Sequence, residues 1–315
     1  MSDKKDNNIK FEQVVARGCG IDVHKSLIVA TIKGTGIKEE TRNFDGFTQS
    51  IEAMREWLLE KGVTHVAMES TGVYWKPKYN ILEADFEILL VNARHIKNVP
   101  GQKTDKKDSR WIAKLLLSGL LKGSFIPPKN IRELRDLTRY KRKIVQQMSS
   151  EKNRIQKILE DANIKLSSVV SNMSGSTATK IVDAMVAGEE DIDVLLKFGH
   201  GRMQASKADL AASLKGALTD HHRFMLRTIK ESIREKEKTI EKLDEQIEKQ
   251  LKENEQTLDA GLLTSIPGVG KEAAGYIIAE LGTDMGQFPD ENHLASWAGM
   301  SPGNNESAGK KKVAE

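Results

Sequence analysis

The chain has one cysteine in 315 residues, Cys19. A lone cysteine excludes an intrachain disulfide and a cysteine-rich zinc site. On an apolar stretch it reads as a small core hydrophobe. Long apolar runs are also missing: none approaches the roughly 18–20 residues of a membrane span. The leader MSDKKDNNIKFEQ has no apolar core of a signal peptide. The expected location is the cytoplasm, with no membrane partner. A strong excess of one charge is lacking too. The 49 Lys+Arg against 45 Asp+Glu leave a net charge of +4, by itself weak evidence for a nucleic-acid partner. What remains is a chain 38 % hydrophobic and 30 % charged, the composition of a helix-rich globular protein long enough for two or three domains.

The charge is informative where it is uneven. From Lys97 to Lys143 cations crowd together, and the acids are Asp105, Asp108, Glu133 and Asp136. Lys103, Lys106, Lys107 and Arg110 lie beside two of those acids and are candidate DNA contacts. A basic field of this kind compensates acids that approach a polyanion.

Residues 18–128 alternate strand and helix signals, which predicts an α/β domain with a mixed sheet. GIDVHKSLIVATI reads as a strand that reaches Asp22, turns and resumes. Phe44–Lys61 has helical spacing, with Phe47, Ile51, Met54, Trp57 and Leu58 on one face. VTHVAMES reads as a strand ending at Glu69, residues 77–84 as a helix, and FEILLVN as a buried strand. Residues 108–121 read as an amphipathic helix with Trp111, Ile112, Leu115 and Leu116 inward. The Ile126-Pro127-Pro128 sequence marks a boundary.

Residues 129–258 read as helical. Leu134, Leu137, Ile144, Met148, Ile155 and Ile158 follow a heptad, and Leu226, Ile229, Ile233, Ile240, Leu243 and Ile247 repeat it. Lys141, Glu151 and Lys236 interrupt the pattern. The two stretches predict an antiparallel coiled-coil arm, structural or oligomer-forming. Residues 166–218 between them carry short helices and no evident chemistry. Residues 259–315 read as a separate, mainly helical module. It opens on a helix, a tight Pro267-Gly268-Val269-Gly270-Lys271 turn and a second helix, and Trp297 there reads as core.

Four acids carry the chemistry. Asp22 and Glu69 each follow a short apolar run, where a charge needs partners or a metal. Asp105 and Asp108 stand three residues apart at the mouth of a helix, on one face of it. Singly each has a plain reading: Asp22 as a turn or cap residue, Glu69 beside the capping Ser70 and Thr71, Asp105 and Asp108 as acids favoured by the helix dipole. Together they form a hard oxygen set suited to Mg²⁺ or Mn²⁺. Two such ions could activate a nucleophile and stabilise a leaving oxygen. His24 reads as a surface or core histidine rather than a ligand. The glycine turn leaves backbone N–H groups of Gly268 and Gly270 open to a phosphate beside Lys271, or is simply an αα-hairpin.

The blocks GIDVHK, MESTGVYW, VNARHIKNVPGQKTDKKDSRWIAKLL and IPGVG…LASWAGMSPGNNESAGKKK resemble the DEDD-type insertion-sequence transposases, the "one-ten" family that includes Piv-like DNA invertases. The resemblance implies a RuvC-like, RNase H-like fold for the N-terminal domain, with Asp22, Glu69, Asp105 and Asp108 as the Mg²⁺-binding tetrad. It implies that Ser307, in NESAGKKK, is the nucleophile that links covalently to DNA; the family often shows two serines and two glycines where this chain has Glu306-Ser307-Ala308-Gly309. The glycine turn resembles a helix-hairpin-helix module, which grips the DNA backbone.

Expected partners are the DNA of element ends and target, a structured guide (bridge) RNA as in some members, and further copies of the chain as a dimer or tetramer. Such a protein belongs to a bacterial or archaeal cytoplasm, associated with the nucleoid. Family members continue past the serine motif, so a shortened copy with weak transposition of its own is a further expectation. The competing functions are a RuvC-like metal-dependent nuclease using water, and an inactive nucleic-acid-binding remnant.

Overall fold

The computed structural model describes residues 13–70, 72–92, 108–199, 205–300, 306–307 and 310–311, with the backbone alone for Asp108, Glu306, Ser307, Lys310 and Lys311. The chain divides into two compact units, residues 1–126 and 127–315.

The first unit is built on a five-stranded mixed sheet of order β3-β2-β1-β4-β5. β1 (Arg17–Val23), β2 (Leu27–Gly34) and β3 (Glu40–Asp45) form an antiparallel meander. β4 (His65–Glu69) and β5 (Glu87–Val91) continue it in parallel with β1. β1 and β2 are the predicted strand that turns and resumes: His24 N–H donates to Leu27 O at 2.9 Å across the reversal. This mixed α/β architecture fits an RNase H-like domain.

One face of the sheet carries α1 (Thr48–Glu60) and α2 (Trp75–Leu82). Cys19, Ile21, Val23, Val66 and Met68 point into that layer and meet Ile51, Met54 and Leu58. Cys19 is fully buried, and burial pushes its thiol pKa up, so it is the inert core residue expected. The opposite face is covered by α3 (Asp108–Leu117), whose Ile112, Leu115 and Leu116 pack on Ala67 and Val91. Each of the Ile, Leu and Val side chains adds about 1.5–3 kcal/mol of apolar burial. Trp111 is only partly buried.

Two details differ from the pattern read off the sequence. The helix expected from Phe44 begins at Thr48, because residues 40–45 form the edge strand β3. Phe47 is therefore the residue before the helix and is 78 % exposed. β3 reads Glu-Thr-Arg-Asn-Phe-Asp, polar apart from Phe44, which packs against Trp57, as suits an edge strand.

The second unit is helical. α4 (Lys129–Asp161) and α8 (Asp220–Glu253) are the two long elements. They run antiparallel: Lys141 near the start of α4 reaches Asp244 near the end of α8, while Leu159 shares a cluster with Leu226. The heptad residues Leu134, Ile144, Leu226, Ile229 and Ile233 are buried. Between them, α5 (Ser176–Ala187), α6 (Ile192–Leu196) and α7 (Lys207–Ser213) close a small core of Leu166, Ile181, Val182, Leu195 and Leu210. α9 (Thr257–Thr264), α10 (Lys271–Leu281) and α11 (Glu291–Trp297) follow. Ile278 and Ala279 of α10 pack on Ile131 and Leu134 of α4. Trp297 is not core: it is 43 % exposed and meets Phe288 edge-on at 5.9 Å. A two-stranded ribbon, β6 (Glu306–Ser307) against β7 (Lys310–Lys311), ends the described chain.

Among the described residues no helix is long and apolar enough to cross a membrane.

Candidate functional site

β1 alternates its side chains between the two layers. Cys19, Ile21 and Val23 enter the α1 side, so Gly18, Gly20 and Asp22 face α3. β4 does the same: Val66 and Met68 enter the α1 side, so Ala67 and Glu69 face α3. The parallel register Ile21↔Met68 sets Asp22 and Glu69 one step further on, at the same end of neighbouring strands. The two acids thus share one face at the C-terminal edge of β1 and β4, the edge where open α/β sheets bind ligands. Asp22 is 17 % exposed in its side chain, and its Oδ2 lies 3.1 Å from Nε2 of the exposed His24.

The glycines fix where α3 lies. A Cβ at Gly18 would meet Leu116 Cδ2 at 2.8 Å, and one at Gly20 would meet Ser109 O at 2.2 Å and Ala113 N at 2.3 Å. α3 therefore runs antiparallel to β1, its C-terminal half over Gly18 and its first turn over Gly20. That direction brings its opening residue, Asp108, to the end of the sheet that carries Asp22 and Glu69. The buried Ser109 hydroxyl lies 2.8 Å from that of Thr31, which in turn lies 2.9 Å from that of Thr41. This hydroxyl chain ties the first turn of α3 to β2 and β3. Gly20, Thr31 and Ser109 escape a reading for chemical groups; the small-residue pattern Gly-Cys-Gly-Ile-Asp was the signal that could have found them.

Asp105, Lys103, Lys106 and Lys107 lie outside the described residues. Arg110 is exposed, with Nε 3.4 Å from Thr41 Oγ1 and 3.6 Å from Glu39 Oε1. Among the described residues no group of three His, Cys, Asp or Glu side chains gathers to hold a metal. Asp22 and Glu69 are a fitting half of such a set, since paired carboxylate oxygens suit a hard divalent cation.

In the second unit, Gly268 adopts φ +89°, a conformation glycine takes without strain. Gly270 precedes α10 with ordinary extended angles and no side-chain cap, and a Cβ there would meet nothing within 4 Å. Gly268, Gly270 and Lys271 are all exposed. Ser307 pairs with Lys310 in the terminal ribbon, in the unit that does not contain Asp22.

A family model described as "Transposase", of the DEDD type, matches residues 19–164. A second, described as "Transposase IS116/IS110/IS902 family", matches residues 260–315. Together the matches cover well over half of the chain and take in Asp22, Glu69, Asp105, Asp108 and Ser307. The chain belongs to the IS110 family of transposases. It is thus an enzyme of transposition, and DNA is what such an enzyme binds. DEDD-type domains usually work with a divalent metal. No curated protein matches the chain.

Proposed function

We propose that this IS110-family transposase cuts and rejoins DNA strands with a divalent metal, Mg²⁺ or Mn²⁺, held by Asp22, Glu69, Asp105 and Asp108, and with the Ser307 hydroxyl as nucleophile. The observation that carries the reading is the shared face of Asp22 and Glu69, with α3 packed over it and opening on Asp108 at the same end. Carboxylates from two strands and a helix mouth surround a cation better than any one element can. When bound, such metal neutralises charge at the phosphate and lowers the pKa of a coordinated hydroxyl. The protein's part is to hold the acids in place, through Gly20 and the Thr31–Ser109 bond, and to bring a hydroxyl to the phosphorus. A serine hydroxyl is a weak nucleophile until it is activated, so Ser307 must meet the acids in space, within one chain or across a homo-oligomer.

In this reading the first unit is a RuvC-like catalytic domain over residues 18–128. Residues 129–258 form a coiled-coil arm that sets a dimer or tetramer, and residues 259–315 form the serine module. Gly268, Gly270 and Lys271 grip the DNA backbone as a helix-hairpin-helix. Lys103, Lys106, Lys107 and Arg110 hold phosphates beside the acids, and a structured guide RNA is a further partner.

The test is strand cleavage on element-end DNA with Mg²⁺ present. Asp22→Asn should abolish both cleavage and any covalent protein–DNA adduct while leaving the thermal transition intact. Ser307→Ala should abolish the adduct. If cleavage persists at full rate in Ser307→Ala, water is the nucleophile and the serine half of the proposal is wrong.

A further inference from the structure

The two long helices of the second unit treat their outer surfaces differently. On α8 the outward residues carry both signs: Glu231, Glu235, Lys238, Lys242, Glu245 and Glu248 are all exposed. Several pair along the helix, Lys238 with Glu235 at 2.7 Å and Lys252 with Glu248 at 2.9 Å. This is what a solvated, self-neutralised face looks like. On α4 the stripe opposite the heptad is different. Arg142, Lys143, Gln146, Ser150, Asn153 and Lys157 are exposed and follow one another at helical spacing. No carboxylate lies among them.

Four acids at the margins of this stripe are already occupied: Glu280, Glu151 and, one turn past Lys157, Glu160 and Asp161, which pair with Lys165 and His222. Glu280 of α10 accepts two hydrogen bonds from Arg139, at 2.8 Å each. Those bonds hold its carboxyl below the usual glutamate range, helped by the charges of Arg135 and Arg142. Glu151, on the flank, is tied to Arg154 at 3.0 Å. Arg142, Lys143 and Lys157 have no hydrogen-bonded or ion-paired partner among the described residues. The stripe from Arg142 to Lys157 is about 22 Å long at 1.5 Å per residue. It offers guanidinium, ammonium, amide and hydroxyl donors, with nothing on it to repel an anion.

We infer that this face of α4 is a phosphate track for duplex DNA, gripping the backbone without reading sequence. The inference rests on the proposed function, since it supplies a backbone grip away from the acids. Charge complementarity selects the partner. A duplex presents one negative charge per roughly 1.7 Å, and each phosphate neutralised by a cation releases condensed counterions. Amide and hydroxyl donors then fix orientation without sequence information. An acidic protein surface would leave the amide and hydroxyl run unused.

The test is anisotropy of the full chain on a random-sequence DNA duplex over a range of salt. The variant Arg142→Ala/Lys143→Ala should bind roughly tenfold more weakly. Its plot of log K against log salt should be shallower by about 1.8, at about 0.9 per phosphate contact. Gln146→Glu/Ser150→Glu should weaken binding with every cation still in place. The control Lys238→Ala/Lys242→Ala, on α8, should keep the parent slope. Circular dichroism melts establish that all variants fold. An unchanged slope in Arg142→Ala/Lys143→Ala overturns the track. So does an equal loss in the α8 control, or a loss seen on duplex RNA and not on DNA. Metal-dependent cleavage retained alongside an unchanged slope would sink the track alone. A parent chain that neither binds nor cuts DNA would sink the proposed function with it.

Discussion

At the scale of single residues, Gly20 decides whether the acids can be brought together. Its missing Cβ lets backbone atoms of α3 approach β1, and the obstacles to a side chain there are backbone atoms that cannot rotate away. Gly20→Ala should therefore lift the first turn of α3 and stretch the Thr31–Ser109 hydrogen bond. A cost of about 3 kcal/mol is expected, at the upper end of overpacking effects. Gly18→Ala meets only a methyl group of Leu116, which can swing aside, and should cost less than about 1 kcal/mol. Urea denaturation of the two variants checks the contrast; equal losses would mean that α3 does not rest on Gly20. Asp22 and Glu69 were legible in the sequence because each ends an apolar run, and such runs report buried strands. Gly20, Thr31 and Ser109 were not, because their roles exist only through a contact between residues some 80–90 positions apart. Lys141 sits between these cases. It was legible as a polar break in the heptad, yet nothing local names its partners, Asp244 and Glu272, both at 2.6 Å. Its side chain is 7 % exposed. Burial pulls its ammonium pKa down, and the two carboxylates outweigh that and hold it above the usual lysine value.

At the scale of elements, periodicity was a good guide wherever one face is buried and the other is wet. α3, α4 and α8 all follow it, whereas β4, buried at Val66, Ala67 and Met68 on both faces, shows as a continuous apolar run instead. Periodicity fails at β3, where neither face is apolar enough to betray a strand, so the spacing alone extends the neighbouring helix back to Phe44. It was also silent about the end of α10. There Arg135 donates from Nε to Ala279 O at 2.9 Å and from Nη2 to Glu280 O at 2.7 Å, satisfying carbonyls that the helix leaves unpaired. The side chain of Glu280 adds the paired bonds from Arg139, which fix α10 to α4. A carboxyl whose folded pKa is depressed stabilises the fold above its unfolded value and loses that contribution as pH falls through the folded value. For Glu280 the ordinary value is 4.5. Glu280→Gln should therefore lower stability near pH 7 by about 1 kcal/mol after allowance for solvent screening. The difference from the parent should shrink below about pH 4 and vanish when both forms are neutral. Thermal melts of the two proteins from pH 3 to 7 measure it. A difference that does not change with pH would mean that the ion pair contributes nothing.

At the scale of the whole molecule, the chain separates its chemistry: the acids lie in the first unit and Ser307 in the second. Each unit buries its own apolar clusters, Ile21, Ile112 and Leu115 among those of the first, Leu166, Ile181 and Leu226 among those of the second. Sequence composition could announce the change of class, from alternating strands and helices to heptads, because the two patterns have different periods. It could not announce that the arm and the following helices α9 and α10 form one unit, since Ile131 and Leu134 meet Ile278 across some 145 residues. Cores of this kind unfold as separate cooperative blocks, for which a single free energy of unfolding is not defined. Calorimetry should accordingly resolve two transitions. Leu115→Ala removes a fully buried side chain from the first unit, and Leu226→Ala does so from the second. Each should cost about 2–5 kcal/mol in its own block. For blocks of this size that is a fall of roughly 10 °C in one midpoint. The other midpoint should stay where it is in each case. If either substitution moved both transitions together, the two units would unfold as one, and the acids and the serine would belong to a single cooperative body.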